Sequence, residues 1–513
     1  MLSKTVIIFV TVCLLILSGS CRKDFEYANS NGNLSFSKDT VFLDTVFSSI
    51  GSSTYTLKVY NRTKEDFVIP SISLNNGNSS NYRLNVDGSA GKSFTDVPLN
   101  GQDSLFIFVE TTVDFQSNSE ASLLYTDVIN FDSGDNQQNV TLVTLVQDAT
   151  FLYPATNPDG SKETIVFSTD IEGNELNVQG FVLNDDELNF TKEKPYVIYG
   201  YGVVPEGKEL VINSGARVHF HQDSGILIQS GGKLTVNGSL SEDQELLEGE
   251  VIFEGDRLEP AFSDTPGQWG AIWLAKGSQA SNIEYLTIKN GAIGLFVEGD
   301  GILDSPTLTI KNSQIYNNSS YNLLSKTSFI EAQNLVLGGA GISSLYCQLG
   351  GNYSFIHSTI ANYWNKSFRN TSALVLSNYD PMDKDAPNDL LRADFQNCII
   401  DGNNPLELLL LSNGQNTLNY NFMNCILKFD DTRDQFTTDA LYDFSSTSNY
   451  NGLVLNGAPD FFFPIENNFR IGLDSEALNM GDINISTLVP LDVLGIDRTA
   501  NPDLGAYQAI PID

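Results

Sequence analysis

Apolar and polar residues alternate in short runs along most of this chain, and Gly, Asn, Ser and Asp break the runs apart. Period-two runs of this length predict half-buried β-strands with turns between them. In residues 34–147 the runs include Leu34-Ser35-Phe36, Thr40-Val41-Phe42-Leu43, Tyr55-Thr56-Leu57-Lys58-Val59-Tyr60, Leu105-Phe106-Ile107-Phe108-Val109 and Val140-Thr141-Leu142-Val143-Thr144-Leu145-Val146. About seven short strands in one such unit predict an immunoglobulin-like β-sandwich. The paired cysteines of antibody domains are absent, so the expectation concerns architecture only. Residues 148–197, with Pro154 and Asn157-Pro158-Asp159-Gly160, read as a linker and as the entry to the stacked-strand domain that follows.

From residue 198 to 513 short apolar strands recur without a helical period, among them Leu210-Val211-Ile212 and Ile226-Leu227-Ile228. Aligning Ile288, Ile315, Leu337, Ile360, Ile400 and Leu427 gives steps of 27, 22, 23, 40 and 27 residues. The long step contains the insertion around Tyr379-Asp380-Pro381. A repeat of this length predicts stacked rungs of three short strands, because one rung alone cannot bury its apolar side. Two residues before each anchor stand Leu286, Ser313, Leu335, Ser358, Cys398 and Cys425, which would stack as an inward column. In that register Cys398 and Cys425 are buried free thiols; a bridge between them is the alternative. The expected fold class is therefore all-β: an immunoglobulin-like sandwich, then a parallel β-helix with a C-terminal cap.

The N-terminus has a different pattern. Lys4 precedes an apolar run at residues 6–17, then Ser18-Gly19-Ser20 precede Cys21. The run is too short to span a bilayer well and reads as a secretory signal over residues 1–20. It resembles a bacterial lipoprotein signal, which implies lipidation of Cys21 and a tether over residues 21–33. Ser18 stands where that signal usually has Leu or Ile. Lys23-Asp24-Phe25-Glu26 resembles the surface-export signals of Bacteroidetes lipoproteins. In the C-terminal half, Ala393-Asp394-Phe395-Gln396-Asn397-Cys398-Ile399-Ile400 and Tyr420-Asn421-Phe422-Met423-Asn424-Cys425-Ile426-Leu427 resemble rungs of the pectin-lyase-like right-handed parallel β-helix superfamily. Asp492-Val493-Leu494-Gly495-Ile496-Asp497-Arg498 with Asp503-Leu504-Gly505-Ala506-Tyr507-Gln508 is similar to a closing motif of surface-anchored β-helix proteins. These resemblances imply an outer-membrane lipoprotein facing outward.

Charge narrows the partners. With 28 basic and 63 acidic residues the formal net charge is −35, a field that repels nucleic acid and anionic membranes. An acidic polysaccharide is a poor partner unless a local basic patch intervenes. No zinc-type cysteine spacing occurs, and the three His do not supply a ligand set, so no metal or cofactor is expected. His219 and His221 share a strand face, Asp300 lies in a Gly-flanked turn, and Arg498 is expected to pair with Asp503 in the cap. Carboxylate pairs for glycoside hydrolysis come in Asp-Asp motifs in galacturonan hydrolases of this fold. Here Asp185-Asp186 and Asp430-Asp431 lack the companion His and Arg-x-Lys motifs. No catalytic residue is assigned. Trp269, Trp273, Tyr353, Tyr363 and Trp364 are the candidate binding platform, with core packing as the alternative role. The leading expectation is a lipid-anchored, non-catalytic binding subunit that docks on outer-membrane proteins. A glycan-binding or glycan-degrading surface protein is the alternative, and an adhesin the third reading.

Overall fold

A computed structural model describes residues 27–115, 122–169, 173–301, 304–380 and 388–510. Cys21 and the secretory signal lie outside the described residues. Two compact units divide the chain, residues 1–147 and 148–513. The first is a β-sandwich. One sheet orders its strands Ala28–Asn29, Phe67–Leu74, Ser122–Phe131, Gln138–Gln147 and Thr40–Phe47, with Ser93–Leu99 also on Phe67–Leu74. The other runs Leu34–Phe36, Tyr55–Asn61, Ser104–Thr111, Tyr82–Val86 and Ser89–Gly91. These six and five strands exceed the seven expected, because pieces of two or three residues add to the edges. One such piece, Ala28–Asn29, lies within the segment expected to be a tether. Alternation sends Leu57, Val59, Ile107, Val109, Ile129 and Leu142 into one core between the sheets.

The second unit is a parallel β-helix of three sheets. Sheet I has eleven strands, from Thr150–Leu152 to Val454–Leu455. Sheet II has ten, from Thr164–Thr169 to Leu408–Leu411. Sheet III has ten, from Asn189–Phe190 to Tyr450–Asn451. Each rung passes from III to I to II. The helix starts earlier than expected: Thr150–Leu152 already pairs in parallel with Tyr196–Ile198, and Glu175–Val182 with Tyr201–Val204. The segment given above as linker and entry contains the first turn. Its strands in sheets I and III are two or three residues long and its other two form an antiparallel hairpin, which hid the repeat.

The anchors stack as aligned: Ile288 pairs with Ile315, then Leu337, Ile360, Ile400 and Leu427. All six residues of the preceding column are buried. Members of that column link the rungs: Ser313 Oγ accepts from Leu286 N at 3.1 Å, and Cys398 Sγ from Ser358 N at 3.4 Å. Cys347, Cys398 and Cys425 are free and buried, and burial pushes the Cys347 and Cys425 thiols up. Just before each column residue, one left-handed residue makes the corner between sheets III and I. These are Tyr285, Asn312, Asn334, His357, Asn397 and Asn424, with φ between 47° and 53°. Asn tolerates this conformation better than most residues, which explains its recurrence.

The C-terminal segment folds back along these corners. Asn424 Nδ2 donates to Met480 O, Asp482 N to Asn397 Oδ1, and Asn334 Nδ2 to Leu491 O, at 3.3, 2.9 and 2.9 Å. Its Phe469, Ile471, Val493, Leu504, Ala506 and Tyr507 cover outward-facing Val336, Ala361, Ile399 and Ile426 of sheet I. The expected Arg498–Asp503 pair is replaced by bonds to backbone. Arg498 donates to the carbonyls of Gly505 and Ala506 at 3.0 and 3.1 Å. Asp503 accepts from Asn479 N and Ala509 N at 2.7 and 2.8 Å. A guanidinium buried beside a tight chain reversal reaches carbonyls first.

His357 interrupts the asparagine corners and is fully buried. Asn397 Nδ2 donates to its Nε2 at 3.0 Å, so the ring is neutral there. Burial, helped by the Arg498 charge, pushes its pKa down to about 2. Below about pH 6.5 the unfolded chain therefore binds a proton that the folded chain refuses, and stability falls as pH falls. His357→Asn is expected to remove this component. Urea midpoints of the two proteins should converge on acidification from pH 7 to pH 5, with the wild type losing more; parallel lines would refute the assignment.

Candidate functional site

The outer face of sheet II carries two parallel columns. Inward, Ile272, Leu295, Leu323, Leu345, Leu374 and Leu408 fill the core. The next residue of each strand points out, and strand register stacks Trp273, Phe296, Leu324, Tyr346, Val375 and Leu409 in one line. Trp273 and Phe296 stack with centroids 5.4 Å apart, and Tyr321 flanks Tyr346 at 5.9 Å. Beside this line runs a polar one, Glu298, Lys326 and Gln348. Trp273 Nε1 donates to Glu298 Oε2 at 2.9 Å, and burial pushes the Glu298 carboxyl up. Phe167, from the first hairpin, meets Trp273 edge-on at 4.7 Å and covers that end of the track.

At the other end the track runs into a groove. Three loops that follow sheet I strands, residues 363–373, 403–407 and 428–449, wall a cavity of about 510 Å³. Leu409, the last member of the apolar line, lies in it with Phe368, Thr371, Asn404, Asp430 and Arg433. Phe368 is 89% exposed. A buried ion pair joins two of the walls: Arg369 Nη2 and Nη1 contact Glu407 Oε1 and Oε2 at 2.5 and 2.8 Å. The carboxylate of Asp431 accepts from Gln435 N and Phe436 N at 3.0 and 2.7 Å, so it shapes its own loop. Asp430 lines both this cavity and an adjoining one of about 510 Å³ that also contains Asp401 and Lys428. Burial pushes the Asp401 carboxyl up; its Oδ2 accepts from Tyr363 OH at 2.6 Å.

The five aromatic residues expected to form one platform are dispersed. Only Trp273 lies on the track. Trp269 is in the core, stacked on Phe220 at 4.4 Å, although four residues should leave both Trp on one strand face. A register shift between Ala271 and Ile272 separates them. Tyr353 is fully buried, its hydroxyl donating to Gly350 O at 2.9 Å. Trp364 is buried over Gly339 and Gly341. Tyr363 packs beside Phe461 and Phe469 of the C-terminal segment. Phe296, Leu324, Tyr346 and Phe368 were not singled out in the sequence. Extending the rung register to sheet II, one residue beyond each buried Leu, locates the first three.

The histidines have separate partners. His219 Nδ1 lies 3.2 Å from Gly255 O, and burial pushes its pKa down. His221 Nδ1 lies 2.7 Å from Asp256 Oδ2, which holds its pKa up. Among the described residues no three His, Cys, Asp or Glu are grouped to hold a metal. Asp185 pairs with Lys208 at 2.5 Å in a short turn remote in sequence from the groove loops. Asp300 sits in the turn after strand Gly291–Glu298.

No protein-family model matches the chain, and neither does any curated protein. Among solved structures, the catalytic unit of a GH87 α-1,3-glucanase from Streptomyces thermodiastaticus aligns with 72% of this chain and 78% of its own, at 13% identity and a TM-score of 0.20. A family 123 glycoside hydrolase from Clostridium perfringens aligns over 23% of this chain and 24% of its own, at 10% identity and a TM-score of 0.17. The ASH/PapD-like domain of human CEP192 aligns over 23% of this chain and 87% of its own, at 8% identity and a TM-score of 0.16.

Proposed function

We propose that the protein is an exported, lipid-anchored glycan-binding protein, held to the outer membrane through Cys21, that binds an extended neutral glycan along sheet II. The observation that carries this reading is the outward line from Trp273 to Leu409, one apolar or aromatic side chain per rung, partly exposed except at the covered Val375 and ending in the walled groove. Rungs repeat at about 4.8 Å, close to the rise of one sugar in an extended chain. Aromatic faces stack on the apolar face of a pyranose, and the parallel polar line supplies hydroxyl partners. The −35 charge disfavours a polyanion on this face. Docking on an outer-membrane protein through the same face is the competing reading.

Isothermal titration with a panel of neutral polysaccharides tests it. Tyr346→Ala and Phe296→Ala are each expected to weaken binding about tenfold, the loss of one ring stack. Undiminished affinity in the double variant, or retention of a stoichiometric membrane protein through these residues without glycan, would overturn it. New reducing ends that disappear in Asp430→Asn, with binding intact, would add hydrolysis in the groove.

A further inference from the structure

The sandwich carries a separate aromatic surface, on the outer face of its five-stranded sheet. Strand Ser104–Thr111 is central there, between Tyr55–Asn61 and Tyr82–Val86. Its Leu105, Ile107 and Val109 are buried, while Phe106 and Phe108 are 42% and 40% exposed. Their rings lie 6.4 Å apart and 19° from parallel. Lys58, the register partner of Phe106, holds Nζ 4.6 Å from that ring's centre. The Arg62 guanidinium lies 4.1 Å from the centre of Tyr60, on the same face as Lys58. Thr56 and Asn85 flank Phe108 from the two neighbouring strands.

Two Phe rings exposed in the middle of a sheet leave apolar area in water that a ligand would cover. Charge says which ligand. Lys58 and Arg62 form no ion pair among the described residues, in a chain where 63 acidic residues face 28 basic ones. The net charge of −35 opposes a second copy and any anion at long range, and what distinguishes this face is the local pair of cations, Lys58 and Arg62, which an anionic group can reach. Nearly parallel rings in a flat face suit a sugar ring, with the cations placed for its carboxylate or sulfate. We propose that this face binds an anionic glycan.

The test is affinity electrophoresis of the full chain in gels containing polygalacturonate or chondroitin sulfate, with dextran as the neutral control. Cosedimentation with phosphatidylglycerol vesicles runs alongside. Both polyanions are expected to retard the wild type. Phe106→Ala/Phe108→Ala should lower affinity about tenfold or more. Lys58→Gln should lower it too, and added salt should weaken it further. Phe106 and Phe108 are partly exposed and Lys58 is half-buried, so the unfolding midpoint of each variant is measured alongside to show that it folds. Phe296→Ala/Tyr346→Ala should leave polyanion binding intact, which separates this surface from the sheet II track. Failure of the polyanions to retard the wild type, retardation that survives loss of both rings, or vesicle binding in its place would overturn the proposal.

Discussion

Arg498→Ala is expected to unlatch the C-terminal segment and destabilise the β-helix by about 3–5 kcal/mol, the usual cost of removing one partner from a buried charge cluster. Arg498 is 1% exposed, and burial brings its pKa down to about 10, so it is charged at neutral pH. Its guanidinium closes the chain reversal onto Gly505 and Ala506. Two buried carboxylates lie in its field. Asp492 accepts from Leu494 N, Ile496 N and Gln508 N, each at 2.8 Å, and Asp503 from Asn479 N and Ala509 N. Without the cation both are charges in a poorly solvated site, and two carbonyls lose their donor. The segment's apolar cover over Val336, Ala361, Ile399 and Ile426 then opens. Arg498→Lys is expected to fail as well, since a single ammonium does not reproduce the planar fork. Limited proteolysis with mass mapping checks this: the variant should be cut within residues 458–510 at protease levels that leave the wild type whole. A variant as resistant as the wild type would show that the latch lies elsewhere.

The same contrast between local and distant contacts explains what could be read in the sequence. Sheet I was legible over the six aligned rungs because the anchor there is Ile or Leu and the residue two before it small or apolar; in the earlier rungs the anchor column holds Val218 and Phe253. Cys398 and Cys425 took their places in that column on register alone. Sheet II was not legible as a site. Its outward line passes through Trp, Phe, Leu, Tyr, Val and Leu, which share no residue type, and the bulge at Ala271 breaks the parity that would tie Trp269 to Trp273. The groove depends on loops that meet only after three rungs have stacked, as Arg369 and Glu407 do across 38 residues. Asp430-Asp431 was visible as a motif. That both residues line the cavity, and that the Asp431 carboxylate is taken up by the backbone of its own loop, follows from the chain's path after sheet I, which no spacing rule contains. The Arg498 reversal failed for the same reason: the pairing of charges was apparent, but not the carbonyls that stand nearer.

Arg369→Met is expected to cost about 3–5 kcal/mol by leaving Glu407 buried and unpaired, while Arg369→Met/Glu407→Leu recovers most of that loss. The Glu407 side chain is fully buried and that of Arg369 is 2% exposed, so neither charge can fall back on water. Glu407 also accepts from Asn404 N and Ala373 N at 2.8 and 2.7 Å, and Arg369 donates to Thr371 O, Asn362 O and Asn403 Oδ1 at 2.6, 2.9 and 2.7 Å. The pair therefore ties two groove walls to each other and to the rung beneath. Desolvation makes such a pair a weak source of net stability, so an apolar pair of similar volume restores much of the packing. It does not restore the donors to Thr371 and Asn362, and recovery is incomplete for that reason. Urea denaturation followed by tryptophan fluorescence, to which Trp364 of the same loop contributes, gives the four midpoints of the cycle, that of Glu407→Leu included. Glycan titration gives the complementary measurement: the double variant should fold yet bind poorly at the groove, because Phe368 and Thr371 lose their fixed positions while the sheet II track is untouched. Groove affinity restored together with stability would mean that packing alone shapes the site, and that the ion pair has no part in holding it open.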